Sequence, residues 1–178
     1  MALADGSEEI ESVTPIDLLK RAGADLVIAS PAGGTVHLAH GLKIASEISF
    51  DELEEESFAM IILPGGLPGA YNLRDSLPLD RILRKHMAKR LPVAAICASP
   101  AFVLAHKGLV KGYKATCYPG CDEGYFDVQW QYGQKVVVDR NLITANGPGS
   151  AYQFALEIIK TVFSPELRQR LSQDTMFE

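Results

Sequence analysis

The sequence contains no run of about 18 apolar residues, the length a membrane-crossing helix needs, so no segment reads as a bilayer span. Its start lacks a basic stretch followed by a long apolar one, and no secretory leader is expected. Lys and Arg number 17 against 22 Asp and Glu, a net charge of −5, and they form no stripe. A nucleic-acid partner, which requires a basic footprint, is therefore not expected. Cysteine is scarce: three in 178 residues is no disulfide framework, and a reducing, cytoplasmic compartment is the expectation. Neither a Gly-x-Gly-x-x-Gly nor a Gly-Lys-Ser/Thr pattern follows a strand, so "GSEE" and "PAGG" are not phosphate loops. Internal repeats, low-complexity tracts and linkers are also missing, and one domain over residues 1–178 is expected, large enough to bury a continuous core.

What the chain does contain is alternation. Short apolar runs at 25–30 (DLVIAS), 59–63 (AMIIL), 92–96 (PVAAI) and 142–145 (LITA) are bounded by turn residues and apolar on both faces. Strands covered on both sides of a parallel sheet read this way. Amphipathic segments at 8–22, 79–90, 100–106 and 150–163 separate them; Gly23 stops the first, and Gly-Pro-Gly at 147–149 opens the last. The fold class that follows is α/β, a three-layer sandwich with a mostly parallel central sheet and helices on both faces. Residues 36–48 read as a hairpin excursion, and 113–138 as a mixture of edge strands and loops. The acidic run DELEEES reads as a solvated turn or short helix. Only "MALA" precedes Asp5, shorter than the five or six residues typical of a strand, so either the first strand is abbreviated or the sequence begins inside it.

In open α/β sheets, sites form at the carboxyl ends of the strands. Four such ends here deliver Glu11 (in DGSEEIE), Gly65 and Gly66 (in PGGLPGA), Cys97 (in ICASP) and the turn NGPG with Gly147 and Pro148. A cysteine between a strand and a helix start is projected off the sheet, and a helix N-terminus favours its thiolate. Glycines let backbone N–H groups approach an oxyanion beside the sulfur. If Glu11 faces Cys97, two like charges repel, so the carboxyl is protonated when the sulfur is ionised and can donate to it. Each piece also has a plainer reading: a core cysteine, a tight turn, acids placed by a helix dipole. Convergence on one edge makes the thiol a candidate nucleophile.

The segments LADGSEEIESVTPIDLLKRAG, IILPGGLPGAYNL, AAICASPAFVLAHKGLVKG and NGPGSAYQFALEII resemble, in order, the ThiJ/PfpI superfamily. They are most similar to the branch holding the Parkinsonism-associated deglycase and YajL-like proteins. The resemblance implies a flavodoxin-like sandwich, generally dimeric, with Cys97 as the reactive, easily oxidised thiol and Glu11 as its protonated partner. It also implies Gly65, Gly66 and Ala98 as backbone donors around the sulfur. Implied activities are glutathione-independent conversion of methylglyoxal to lactate, deglycation of glyoxal-modified groups, and redox sensing with chaperone activity. No metal or organic cofactor is implied.

Departures narrow this. Ala98 stands where protease-like members place a histidine after the cysteine, which disfavours peptide hydrolysis. Tyr118, before Pro119, stands where the deglycase branch places a histidine, and a phenol is a poor base near neutral pH. His40 aligns loosely with a position that approaches the site from a dimer partner. His37, His86 and His106 have no partner visible in sequence, and Trp130, Tyr125, Phe126 and Tyr132 read as packing residues. Cys117 and Cys121 lack the second ligand pair of a zinc site; Cys117 is a candidate resolving thiol for an oxidised Cys97. Two function classes result: an enzyme acting on small dicarbonyls, and a redox sensor in which oxidation of Cys97 to sulfinic acid changes partner binding.

Overall fold

The computed structural model describes residues 1–177. Its centre is a sheet of β5 (Ile61–Leu63), β6 (Val93–Ile96), β10 (Leu142–Ala145) and β9 (Val136–Asp139), in that order. The first three run parallel and β9 is antiparallel to β10. A parallel pair, β1 (Ala29–Ser30) and β4 (Ile48–Ser49), lies on the other side of residues 1–4. Ala2 donates its N–H to the Ile62 carbonyl at 3.0 Å, and Leu3 donates to Ala29 at 2.8 Å. The abbreviated first strand is thus the seam that joins β1 to β5. The 25–30 run is regular only at Ala29–Ser30, and the Glu47 N–H reaches back to the Ile28 carbonyl where the ladder bends.

Alternation along the strands sorts the core into two faces. Ile62, Ala94, Ile96, Ile143 and Ala145 pack with Leu18 and Leu19 of α1 (Glu9–Arg21) and Phe154 and Ile158 of α4 (Ala151–Val162). Ile61, Leu63, Val93, Ala95 and Leu142 pack with Leu73 of α2 (Gly69–Asp75) and Leu79 and Leu83 of α3 (Leu77–Ala88). Period-2 side chains buried on both faces require helices on both, which is the three-layer sandwich. Each fully buried Leu or Ile stabilises this arrangement by about 1.5–3 kcal/mol.

Around the sheet, β2 (Gly34–His37) and β3 (Lys43–Ser46) form the expected hairpin. The 113–138 stretch contributes β7 (Lys114–Ala115) and β8 (Gln129–Trp130), and DELEEES opens with one 3₁₀ turn at Asp51–Leu53. Two helices escaped the sequence pattern, α2 and α5 (Pro165–Asp174). The signal for α5 was present as Ser-Pro-Glu: the Ser164 hydroxyl accepts the Leu167 N–H at 3.2 Å and Pro165 sits at the first helical position. The helix expected at 100–106 is a π-helical turn over Pro100–Ala105, its wide spacing visible in the His106 N–H to Ala101 carbonyl bond at 2.9 Å. Among the described residues, no helix is long and apolar enough to cross a membrane.

Candidate active site

Cys97 follows β6 directly. Its N–H donates to the Ala145 carbonyl at 2.9 Å, continuing the β6–β10 ladder by one bond. Its φ is +64°, a left-handed conformation that costs a non-glycine residue about 1–2 kcal/mol. The neighbouring turns hold it there: the Cys97 carbonyl accepts the Tyr118 N–H at 2.8 Å, and the buried Ser99 hydroxyl donates to the Pro64 carbonyl. This sharp turn lifts the thiol off the sheet edge, and the residue is 9% exposed. Ser99, which ties the cysteine turn to the loop after β5, is a positioning residue missed in the sequence, although it lies inside the ICASP motif.

The loop after β5 approaches from the other side. A Cβ at Gly65 would lie 2.6 Å from Cys97 Cβ, 2.8 Å from Glu11 Oε2 and 2.9 Å from the Ala98 nitrogen. Only glycine allows three chain segments to meet at that point. Gly66 has φ +86° and backs directly onto the start of α1, where its Cβ would fall 2.5 Å from the Glu8 nitrogen. The backbone N–H groups of Gly66 and Ala98 favour the ionised form of Cys97. The Gly65 N–H, expected beside the sulfur, donates instead to Glu11 Oε2 at 2.8 Å.

Glu11 arrives on the first turn of α1, where the Glu8 side chain caps the helix by accepting the Glu11 N–H at 2.8 Å. Glu11 is fully buried, and its Oε2 and the Cys97 Cβ converge on Gly65. Burial pushes its pKa up to about 7, opposed by the bonds from Cys97 and Gly65 and assisted by Glu8. Burial first, then the adjacent Glu11, push the Cys97 thiol well above its ordinary range; Gly66 and Ala98 pull the other way. Where a helix start was expected to favour the thiolate, a six-residue π-helical turn follows the cysteine.

The two groups therefore behave as a pair. Two adjacent negative charges inside a buried site disfavour each other, so ionisation of Cys97 is easiest with the proton on Glu11. Oε2 of Glu11 accepts from Gly65. Oε1 of Glu11 has no hydrogen-bond partner and is buried. An unpaired oxygen of this kind is less costly on a neutral carboxyl than on a carboxylate.

The remaining residues named from sequence fall at different distances from this centre. The Tyr118 ring lies against Gly147, where a Cβ would be 3.2 Å from Cδ2, and the residue is 49% exposed. Pro119 continues the same exposed loop, and half-buried Pro148 opens the 3₁₀ turn before α4. His40 pairs with Glu9 rather than with the sulfur: its Nδ1 lies 2.8 Å from Oε2, and its N–H donates to Oε1 at 2.5 Å. That carboxylate raises the His40 pKa. Glu8, Glu9 and His40 are the one group, among the described residues, whose possible metal-ligand atoms lie within 4.8 Å of one another. The Glu9 carboxylate and His40 Nδ1 are already paired together.

A family model described as the DJ-1/PfpI family matches residues 1–161. The chain is 41% identical over 175 residues to protein DJ-1 homolog B of Arabidopsis thaliana, covering 98% of this chain and 40% of that protein. It therefore spans less than half the length of the Arabidopsis relatives it matches. It is 31% identical to glutathione-independent glyoxalase DJR-1.2 of Caenorhabditis elegans, covering 91% and 86% of the two chains. Identity to deglycase PH1704 of Pyrococcus horikoshii is 32%, covering 88% and 94%. Among solved structures, oxidized Toxoplasma gondii DJ-1 superposes with a TM-score of 0.93 at 38% identity, covering 98% and 95%.

Proposed function

The chain belongs to the DJ-1/PfpI family, and on that premise we propose that it is a cofactor-independent, cysteine-dependent enzyme of the glyoxalase or deglycase type. Its substrates are methylglyoxal, glyoxal or their adducts. The observation that carries this reading is the convergence of Cys97, the buried Glu11 carboxyl and the Ala98 nitrogen on Gly65, with the Gly65 N–H held on Glu11 Oε2 at 2.8 Å. Relatives named for glyoxalase and deglycase activity support the reaction class.

Cys97 sulfur, with its proton on Glu11, adds to the aldehyde carbon of methylglyoxal and gives a hemithioacetal oxyanion. Charge leaves the sulfur at that moment, so the Gly66 and Ala98 N–H groups that held the thiolate become donors for the new oxyanion. Glu11 gives its proton to that oxyanion, takes the hydrogen from the former aldehyde carbon to leave an enediolate, and returns it to the former ketone carbon while the hydroxyl proton passes to the neighbouring oxygen, which yields the thioester of the hydroxy acid. Water cleaves that thioester, releasing lactate and returning the thiol; the sum is methylglyoxal plus one water. Lactate formation without glutathione tests this, and a Cys97→Ala protein that retains full turnover overturns it.

A second reading uses the same thiol as a redox sensor, oxidised by peroxide to a sulfinic acid held by Glu11. Tyr118 favours it, because a phenol offers no base near neutral pH at a position where a histidine was expected. Mass spectrometry after mild peroxide discriminates: two oxygens on Cys97, with Cys117 and Cys121 spared, is the sensing result. The reading further takes the chain as one domain acting in the cytoplasm as a homodimer. Exposed Ile10, Val13 and Leu42, near Glu9 and His40, are the apolar surface that supports a second copy, checked by sedimentation velocity.

A further inference from the structure

Beside the site, the segment Cys117-Tyr118-Pro119-Gly120-Cys121 brings two more thiols together. A turn closes it, with the Cys121 N–H donating to the Tyr118 carbonyl at 3.0 Å and Gly120 at φ +86°. Both cysteines are free, both are 9% exposed, and both pack in the apolar cluster that contains Cys97 and Ala98. Burial first, then Asp122 and Cys121, push the Cys117 thiol up to about 12. The segment is anchored at each end, by Thr116 N–H to Thr144 Oγ1 at 2.9 Å and by Tyr132 hydroxyl to Asp122 at 2.9 Å. Its outer side is open, since Tyr118, Pro119 and Gly120 are exposed and a Cβ on Gly120 would meet nothing within 4 Å. One bond leads from it to the site, Tyr118 N–H to the Cys97 carbonyl.

We infer that Cys117 and Cys121 form a second redox site, a dithiol that closes to an intramolecular disulfide by exchange with a small disulfide such as oxidised glutathione, and thereby fastens Tyr118 against the Cys97 turn. The inference goes beyond the enzymatic reading and does not depend on turnover. In the first step one protein thiolate attacks a glutathione sulfur, forming a mixed disulfide and expelling one glutathione thiolate. In the second step the other protein thiolate attacks the protein sulfur of that mixed disulfide and expels the second glutathione. Two protons pass from the cysteines to the two glutathiones; the protein pair loses two electrons and the oxidant gains them. Only three residues separate the thiols and the segment is held at both ends, so closure rearranges a surface turn and leaves the sheet in place.

The test uses the full chain incubated with oxidised glutathione, blocked with N-ethylmaleimide in denaturant, and mapped by mass spectrometry. The tryptic peptide between Lys114 and Lys135 holds both cysteines and is expected two hydrogens lighter and unalkylated. Cys97→Ser is expected to behave identically, and Cys121→Ser to retain a glutathione adduct on Cys117. Iodoacetamide alkylation of Cys97 is expected to slow several-fold in the closed form and recover with dithiothreitol. Persistent alkylation of both thiols, or a bridge from Cys117 to Cys97, overturns the inference; an unchanged Cys97 rate overturns its coupling to the site.

Discussion

Cys97 and Cys117 are each only 9% exposed, lie in one apolar cluster, and have thiols raised first by burial, yet their surroundings differ in kind. Around Cys97 stand two backbone donors, a carboxyl able to hold a proton, and a left-handed backbone that lifts the sulfur off the sheet. Around Cys117 stand Asp122, a second thiol and a turn open to solvent. Burial alone therefore does not make a nucleophile. Donors that stabilise a developing charge, fixed before it appears, suit the first cysteine to addition chemistry; a like neighbour suits the second to disulfide exchange.

The comparison breaks most readily at the sulfur itself. Cys97→Ala is expected to reduce glutathione-independent lactate formation by about 10³-fold or more, whereas Cys117→Ala should cost less than about tenfold, both read as kcat/KM. If the two variants fall equally, the distinction between the environments is wrong.

Next in size is pH. The folded-state pKa of Glu11 is raised to about 7, so its contribution to stability is complete below the unfolded value near 4.5 and is lost as pH rises through 7. The loss is on the order of 3 kcal/mol between those limits. Glu11→Gln, which keeps an acceptor for Gly65, should flatten that dependence in urea unfolding at pH 5 and pH 8.5 while abolishing turnover. A wild-type protein as stable at pH 8.5 as at pH 5 would show that the carboxyl is not desolvated.

Glycine substitution sharpens the contrast further. Gly65→Ala drives a methyl into Cys97, Glu11 and the Ala98 nitrogen, and is expected to cost about 1–3 kcal/mol and to slow Cys97 alkylation. Gly120→Ala meets open space and bears only the strain of its positive φ, about 1 kcal/mol, with Cys97 reactivity retained. Thermal melts and alkylation rates separate the two. The smallest effect is expected for Asp122→Asn, which removes a negative charge that raises both Cys117 and Cys121. Their alkylation at pH 8 should quicken a few-fold, and that of Cys97 should not change.

Much of this was legible in one dimension. The two-faced apolar runs implied a covered parallel sheet, and each strand end named a segment that the fold brings to one edge. Glu11, Gly65 and Cys97 stand out because strand and helix periods are local properties, set by which side chains must leave water every two or every 3.6 residues. The family motifs named the same residues. The allotment of hydrogen bonds was not legible. That the Gly65 N–H serves the carboxyl depends on a distance between segments 54 residues apart in the chain. The pairing of His40 with Glu9 and the π-helical turn after Cys97 are likewise products of packing.

The sequence by itself determined the layers, the strand ends and the identity of the candidate nucleophile, because hydrophobic periodicity and turn chemistry are written in neighbouring residues. Tertiary structure alone decided how deeply the Glu11 carboxyl is buried and that the Gly65 N–H holds it. A thiol and a carboxyl acquire their charges from burial and from each other, and neither acts until the chain has closed around both.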